Sequence, residues 1–205
     1  MSANLASVFT HFSSRLNNIG SLVVAGGAVR DTLMFKSPKD FDLFLLDIPS
    51  KDFKAKKELI VKAIADLEIV HGLEWHKSEP FLCVTVKWNG VEVQLLANPA
   101  PDAETLIASF DWNVCLFAFN GNFVNKEKIE NIGEDKDLVL NTVTFPLSTL
   151  RRGFRFSERF KMRLKRETIV DLARRIVSYA DSKMEVGAIG NEPDMPSLEA
   201  NTLIA

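Results

Sequence analysis

A short apolar run that ends in two glycines constrains this chain more than any other feature. Residues 22–25 read Leu-Val-Val-Ala and precede Gly26 and Gly27, which predicts a strand, a sharp turn and a helix over 28–35. Adjacent glycines let backbone N–H groups approach a phosphate without a Cβ in the way. A helix that begins there adds its own N-terminal N–H groups, and Arg30 could add a bidentate contact. A lone Gly-Gly pair is also compatible with an ordinary turn.

A second apolar run, over residues 41–47, has a pair of carboxylates at its start. Asp40 and Asp42 are two residues apart, so on a strand their side chains lie on the same face. Two such carboxylates repel each other unless a cation lies between them, and Mg²⁺ is the ion that bridges carboxylates and substrate phosphates. The pair therefore predicts a metal site, with a solvated strand edge as the alternative. The nearly continuous apolar character of the run also predicts a central strand.

The two features occur in this order and close together in the chain, as Gly-Gly-x-Val-Arg-Asp followed by Asp-x-Asp. This form resembles the head domain of class II CCA-adding enzymes and bacterial poly(A) polymerases, within the DNA polymerase β nucleotidyltransferase superfamily. The resemblance implies transfer of an NMP from an NTP, ATP or CTP, with Mg²⁺ as cofactor and two ions in the ternary complex. It implies that Asp40 and Asp42 are catalytic and hold the metal, and that Gly26, Gly27 and Arg30 bind the outer phosphates.

Two later segments extend the resemblance. Asp111, in the apolar segment 109–119, matches the Asp of the family segment Arg-Arg-Asp-Phe-Thr-Ile-Asn-Ala-Leu-Ala, which helps to select the ribose. Residues 149–160 resemble the Leu-Arg-Ala-x-Arg-Phe-Ala-x-Arg-Phe helix that begins the family's neck. By this resemblance Asp111 would contact the ribose, and Arg152 and Arg155 would add second-line phosphate contacts.

The clearest hairpin signal is Asn89-Gly90, between strand patterns over 81–88 and 91–96. The alternation places Glu92 and Gln94 on one face of the second strand. Members of the superfamily often carry a third carboxylate on this strand, so Glu92 is a possible third carboxylate. A solvated glutamate fits the same position equally well.

Helical periodicity predicts helices over 4–18, 49–67, 102–109, 149–166 and 167–182. The helix over 149–166 would gather eight Lys and Arg residues in a chain whose net charge is −2. Such a cluster favours a face that binds phosphates, and the alternative is a solvated amphipathic helix. Arg159, Arg163 and Arg166 are the candidate RNA-binding residues.

Composition is that of a globular protein, with 46% hydrophobic and 25% charged residues. The expected fold class is α/β (α+β), a nucleotidyltransferase-fold mixed sheet flanked by helices, with a short C-terminal helical neck-like extension. The expected division is a head domain over 1–146, the extension over 147–183 and a flexible tail over 184–205. The chain shows neither a signal peptide nor an apolar run of membrane-spanning length, so we expect no membrane partner and a cytoplasmic location. Cys83 and Cys115 lack metal-type spacing and are interpreted as reduced core residues.

The parts of the family that hold the tRNA and select the base have no counterpart in this sequence, and the neck motif Glu-Asp-x-x-Arg is not found. The leading hypothesis is a minimal enzyme that transfers an NMP to an RNA 3′ end, tRNA-like by resemblance. The alternative enzyme nucleotidylates a protein or a small molecule, which needs no tRNA-holding body. A non-catalytic RNA- or nucleotide-binding module is the third hypothesis, and the intact glycines and aspartates argue against it.

Overall fold

The computed structural model describes residues 4–74 and 83–185. The helices are α1 (Leu5–Leu16), α2 (Gly27–Leu33), α3 (Phe53–Ala63), α4 (Ala103–Ala108), α5 (Pro146–Phe160) and α6 (Arg166–Glu185). The strands are β1 (Ser21–Ala25), β2 (Asp40–Leu46), β3 (Glu68–Glu74), β4 (Cys83–Trp88), β5 (Val91–Ala97), β6 (Ala118–Phe119), β7 (Phe123–Val124), β8 (Asp137–Leu138) and β9 (Arg163–Leu164). Across these described ranges, no helix combines the length and the apolar character that crossing a bilayer requires.

Seven strands of the described chain form one mixed sheet, in the order β3-β4-β5-β2-β1-β6-β7. β2 pairs in parallel with β5 and antiparallel with β1, and the other neighbours in this sheet are antiparallel. The prediction that β2 is a central strand is confirmed. Helices flank the sheet, so the predicted mixed α/β class is confirmed as well.

The two faces of this sheet are covered unequally. One face, which includes Phe41, Leu43 and Leu45 of β2, packs against α1, α2 and α3 and forms the larger core. The opposite face packs against α4 in a smaller core, with Leu106 and Ile107 as buried members. The alternation along β2 places Asp40 and Asp42 on this second face. We call it the carboxylate face.

The predicted Asn-Gly hairpin is present between β4 and β5. Asn89 and Gly90 both have positive φ, 48° and 83°, as a two-residue type I′ turn requires. Trp88 pairs with Val91 directly across the turn. Residues 81 and 82 of the predicted first strand lie outside the described residues.

Two element predictions need correction between residues 49 and 74. The helix predicted over 49–67 is a 3₁₀ turn at Ser50–Asp52 followed by α3, which ends at Ala63. β3 was not predicted, because its sequence mixes charged residues and a glycine and does not alternate cleanly. β3 is an edge strand whose register against β4 shifts twice, so pairing with β4 rather than its own pattern defines it.

The single basic helix predicted over 149–166 is wrong. α5 ends at Phe160 because Lys161 takes a left-handed conformation, with φ of 54°, and its N–H donates to carbonyls of the last turn. Arg163 then lies in β9, which pairs in parallel with β8, and Arg166 begins α6. The three candidate RNA-binding arginines therefore lie on three different elements.

α5 packs directly on the sheet-bearing part of the chain. Phe160 and Leu172, from α5 and α6, belong to the same core cluster as the strands. Gly153 lies so close to Trp112 that a Cβ there would meet the indole ring at 2.5 Å. The division into a head and an extension at residue 146 stays a prediction. Most of the predicted tail, from residue 186 on, lies outside the described residues.

Candidate active site

The two aspartates predicted to hold a metal lie at the start of β2, on the carboxylate face. Asp40 pairs with Glu92 and Asp42 with Gln94 across the parallel β2–β5 register. Directly paired residues on neighbouring strands share a face of the sheet. The structure therefore brings Glu92 next to Asp40, as a third carboxylate would require, and places Gln94 next to Asp42.

These carboxylates destabilise one another's charge. Burial, and next the charge of Asp40, raises the pKa of Asp42 to about 7. Burial raises the pKa of Asp40 as well, and the charges of Glu92 and Asp31 act in the same direction. Negative charge held together in this way stores electrostatic repulsion that a bound cation would relieve.

Gln94 adds an oxygen to this site that we did not predict. Its residue is 8% exposed, and its Oε1 is buried without a hydrogen-bond partner in the described chain. A buried carbonyl oxygen normally has a partner, so an unpaired Oε1 beside Asp42 fits a cation ligand. The alternation of the sequence predicts that Gln94 shares a face with Glu92. Only the parallel pairing of β5 with β2 shows that Gln94 lies beside Asp42.

The donor set fits Mg²⁺ bound together with a substrate. Among residues 4–74 and 83–185, no three or more His, Cys, Asp and Glu side chains are grouped as a metal site by themselves. Mg²⁺ is commonly held by one or two carboxylates plus substrate phosphates and water. Asp40 and Asp42, with Gln94 Oε1 at hand, match that requirement for oxygen ligands.

The Gly-Gly turn leads directly from β1 into α2, beside these carboxylates. Ala25, the last residue of β1, pairs with Asp42. Gly26 has φ of 75°, which glycine adopts without strain. Its N–H donates to the carbonyl of Phe117 at 2.8 Å. The conformation of Gly26 can therefore bring the backbone close to a phosphate, but its N–H is already bonded and cannot donate to that phosphate. Gly27 is the first residue of α2.

Arg30 lies under this turn and is buried. Its Nε donates to Asp31 Oδ1 at 2.8 Å and its Nη1 to the carbonyl of Val114 at 3.4 Å. Its side chain is 3% exposed, and its guanidinium carbon lies 5.9 and 4.7 Å from the ring centres of Phe156 and Phe160. The structure thus gives Arg30 a structural role that was not predicted. Its contact with the outer phosphates stays a prediction.

Two ion pairs join α5 to the predicted nucleotide-binding elements. Arg152 donates through Nε to Asp111 Oδ2 at 2.9 Å, and Arg159 donates to Asp31 Oδ2 at 2.9 Å. Asp111 is nearly buried, with a side chain that is 10% exposed. Arg155 lies on α5 between these two arginines and is half-buried. Ribose binding by Asp111 and phosphate binding by Arg152 and Arg155 stay predictions.

The pKa of the Cys115 thiol is affected by several of these candidate residues. Burial raises its pKa to about 12, and the charges that act on it are those of Asp111, Arg30, Arg152 and Asp42. Candidates for the metal, phosphate and ribose contacts are therefore all close enough to affect this thiol. A thiol with so high a pKa stays protonated and unreactive, in agreement with its interpretation as a reduced residue, and Cys115 is partly buried at the edge of the larger core.

The remaining basic candidates lie away from this cluster. Arg163 pairs with Asp137, with 3.1 Å between Nε and Oδ1, and Lys165 pairs with the same carboxylate. These contacts, together with an Asp137 pKa lowered by the neighbouring Lys165 and Arg163, describe an exposed ion-pair group around β8 and β9. RNA binding by Arg159, Arg163 and Arg166 stays a prediction.

The raised pKa of Asp42 makes the stability of the metal-free protein depend on pH. The folded chain keeps a proton on Asp42 up to about pH 7, whereas the unfolded chain releases it near the ordinary value of 3.8. Stability from this group is therefore present below about pH 4 and is lost as the pH rises to about 7. In EDTA, Asp42→Asn should be more stable than the wild type at about pH 8, by at most about 4 kcal/mol.

Urea unfolding of both proteins at about pH 4 and about pH 8 measures this difference. A difference that does not grow with pH would show that Asp42 is not destabilised in its charged form. Addition of Mg²⁺ at the higher pH should stabilise the wild type and not the variant, because a ligand that binds only the folded state raises its stability.

Comparison with known proteins gives a fold and a family. A CCA-adding enzyme solved with ATP matches with a TM-score of 0.56 and 15% identity, over 87% of this chain and 44% of that one. One solved with CTP matches with a TM-score of 0.58 and 17% identity, over 86% and 44%. The Thermotoga maritima CCA-adding enzyme complexed with tRNA matches with a TM-score of 0.50 and 14% identity, over 84% and 45%.

At these identities the likeness shows the fold, so the chain has the nucleotidyltransferase fold of these enzymes. It spans less than half the length of each of these three chains. No curated protein matches the sequence. A family model described as "Gabija anti-defense 2 family protein" matches residues 3–135, which include the Gly-Gly turn, the paired aspartates and Asp111. The chain therefore belongs to the Gabija anti-defense 2 family.

Proposed function

We propose that this chain is a Mg²⁺-dependent nucleotidyltransferase that moves an NMP from an NTP, ATP or CTP, to the 3′ end of an RNA. The observation that carries the proposal is the set of mutually repelling carboxylates next to the Gly-Gly turn. Asp40, Asp42 and the unpaired Oε1 of Gln94 share the carboxylate face, and Ala25 of the turn pairs with Asp42.

In this proposal each group has one task. Asp40 and Asp42 would hold the two ions expected in the ternary complex, and bound Mg²⁺ supplies charge neutralisation and a more acidic attacking hydroxyl. Gly26, Gly27 and Arg30 would place the outer phosphates, and Asp111 would contact the ribose, with Arg152 and Arg155 behind it. The 3′-hydroxyl oxygen attacks the α-phosphorus, its proton passes to a base, and the bond to the β-phosphate breaks to release pyrophosphate.

Two observations, one on the structural neighbours and one on this chain, support an RNA acceptor. One of the CCA-adding enzymes with this fold was solved with tRNA and others with ATP or CTP. The arginines of α5 also lie beside the site, where Arg159 is 46% exposed.

A protein acceptor is the second candidate function. The family is described as anti-defense, so a component of a defence system is a reasonable acceptor. Nucleotidylation of a protein would use the same nucleotide site at the Gly-Gly turn and the paired aspartates.

The deciding experiment is incubation with each α-³²P-labelled NTP, Mg²⁺ and total cellular RNA or protein. Label on RNA that ribonuclease removes supports the leading proposal, whereas label on a protease-sensitive band supports the second. Transfer that persists in EDTA, or in a variant without Asp42, would contradict both.

Replacement of Arg159, Arg163 and Arg166 together by glutamine should flatten the salt dependence of RNA binding. Each phosphate contact with a single strand contributes about −0.7 to the slope of log affinity against log salt, so the slope should fall in magnitude by about 2. A salt titration of fluorescent RNA measures it. Nucleotide affinity should change little, because the Gly-Gly turn lies on another element.

The matched control replaces Lys51, Lys57 and Lys62 by glutamine, which removes equal charge from the region of α3. An equal change in slope in the control would assign the RNA contact to net charge alone. A wild-type protein that binds no RNA even at low salt would exclude the RNA acceptor.

A further inference from the structure

Phe35 is the most exposed large apolar residue of the described chain. It follows α2 in the loop that leads to β2, and its side chain is 99% exposed. Its φ is 57°, in the left-handed region, which is unfavourable for any residue with a Cβ and especially for a bulky one. This conformation caps α2 in a Schellman motif, in which the Phe35 N–H donates to the Thr32 carbonyl at 3.0 Å and the Lys36 N–H donates to the Asp31 carbonyl at 2.8 Å. The cap explains the left-handed backbone, but glycine is the usual residue there, and an exposed phenylalanine contributes neither to the cap nor to the core.

Basic residues follow Phe35 in the chain. Lys36, Ser37 and Lys39 follow in the same loop and are exposed. The Nζ of Lys36 lies 5.9 Å from the centre of the Phe160 ring, and the guanidinium carbon of Arg159 lies 5.2 Å from the same centre. These two cations thus lie over Phe160 of α5, while Phe35 itself is followed in the loop by exposed lysines. An exposed aromatic ring with basic residues beside it in the chain is typical of surfaces that bind single-stranded nucleic acid.

The loop also leads directly into the candidate active site. Asp40 follows Phe35 by five residues, so the two lie at most about 18 Å apart. A nucleic-acid strand with its 3′ end at Asp40 and Asp42 needs only a few nucleotides to reach this ring.

We propose that Phe35 is a stacking platform for an unpaired base of a single-stranded nucleic acid, with Lys36 and Lys39 on the neighbouring phosphates. The proposal rests on the proposed function for the identity of the acceptor. A protein partner would also accept an aromatic side chain, but such anchors are normally enclosed by an apolar, well-packed patch, and the neighbours of Phe35 are polar and cationic. The charges therefore favour a polyanion.

The test is fluorescence anisotropy with a labelled single-stranded RNA of about 12 nucleotides, in EDTA and without NTP, so that no transfer occurs. A second probe of the same length lacks its bases. The wild type should bind the base-bearing probe more tightly. Phe35→Ala should weaken that binding roughly tenfold, as loss of one stacked base does, and should leave the abasic probe unchanged. Phe35→Trp should keep the preference.

The stability of a glycine variant gives an independent readout. Phe35→Gly should lose binding like Phe35→Ala, yet its Tm should rise by about 2–4 °C because the left-handed strain is relieved. The matched control is Phe123→Ala, another exposed phenylalanine, in the edge strand β7 on the face opposite the carboxylates. This control should leave binding to both probes unchanged.

Equal binding of the two probes by the wild type, or wild-type binding of the base-bearing probe by a folded Phe35→Gly variant, would overturn the proposal. So would a Phe35→Ala variant that loses labelling of a protein but binds RNA as before, which would assign the ring to a protein partner. A different outcome would contradict the proposed function without contradicting the stacking platform. A wild type that labels no RNA with NTP, but whose RNA binding depends on Phe35, would refute transfer to RNA and support the stacking platform.

Discussion

Replacement of Asp42 by alanine should lower the rate of nucleotidyl transfer by at least about 1,000-fold and leave the fold intact. Asp42 lies two residues after Asp40 on β2 and pairs with Gln94 of β5, and burial and the charge of Asp40 raise its pKa to about 7. Loss of a metal ligand removes several kcal/mol of transition-state stabilisation, and each 1.4 kcal/mol or so is tenfold in rate. Initial rates with labelled NTP at saturating Mg²⁺ measure the effect.

The control for this variant is Glu58→Ala, which removes an exposed carboxylate from α3. It should keep the wild-type rate. Circular dichroism and urea unfolding should show that Asp42→Ala is folded and, without metal, no less stable than the wild type, since a disfavoured charge is gone. Near-wild-type transfer by folded Asp42→Ala would show that the metal site is elsewhere.

Asp31→Asn should destabilise the protein by about 3–5 kcal/mol, the usual effect of removing one partner from a buried ion pair. Asp31 accepts hydrogen bonds from Arg30 and from Arg159, and the Arg30 side chain is 3% exposed. Without the carboxylate charge, Arg30 is left buried among Phe156, Phe160 and a single carbonyl. The free energy of urea unfolding should therefore fall, and α5 should lose the ion pair that Arg159 makes with Asp31.

Two further variants separate this explanation from general damage. Asp66→Asn breaks the exposed pair with Arg15, whose partners are 63% and 26% exposed, and should change stability far less. Arg30→Met in the Asp31→Asn background removes the orphaned charge and should recover much of the loss. If Asp31→Asn and Asp66→Asn have equal effects, the buried pair does not stabilise the attachment of α5.

Local sequence patterns determined the parts of the fold that depend on neighbours in the chain. The Gly-Gly turn, the strand that carries Asp40 and Asp42, and the Asn89-Gly90 hairpin were all predictable, because each rests on a backbone conformation or an alternation written into consecutive residues. The resemblance of the motifs also indicated the fold that the comparisons show.

Tertiary structure alone decided which residues meet. The partners Gln94 for Asp42, Arg152 for Asp111 and Arg159 for Asp31 are 52, 41 and 128 residues apart in sequence. Sequence periodicity does not predict contacts at such separations, because these contacts depend on the parallel pairing of β2 with β5 and on the packing of α5. The same reason explains β3, whose irregular pattern becomes a strand only when it pairs with β4. The end of α5 at Lys161 is local, but it depends on a left-handed backbone at a lysine, which the pattern of basic residues does not indicate. The candidate site residues were therefore predictable from the sequence, whereas the contacts among them, such as the hydrogen bond from buried Arg30 to Asp31, are set by the folded chain.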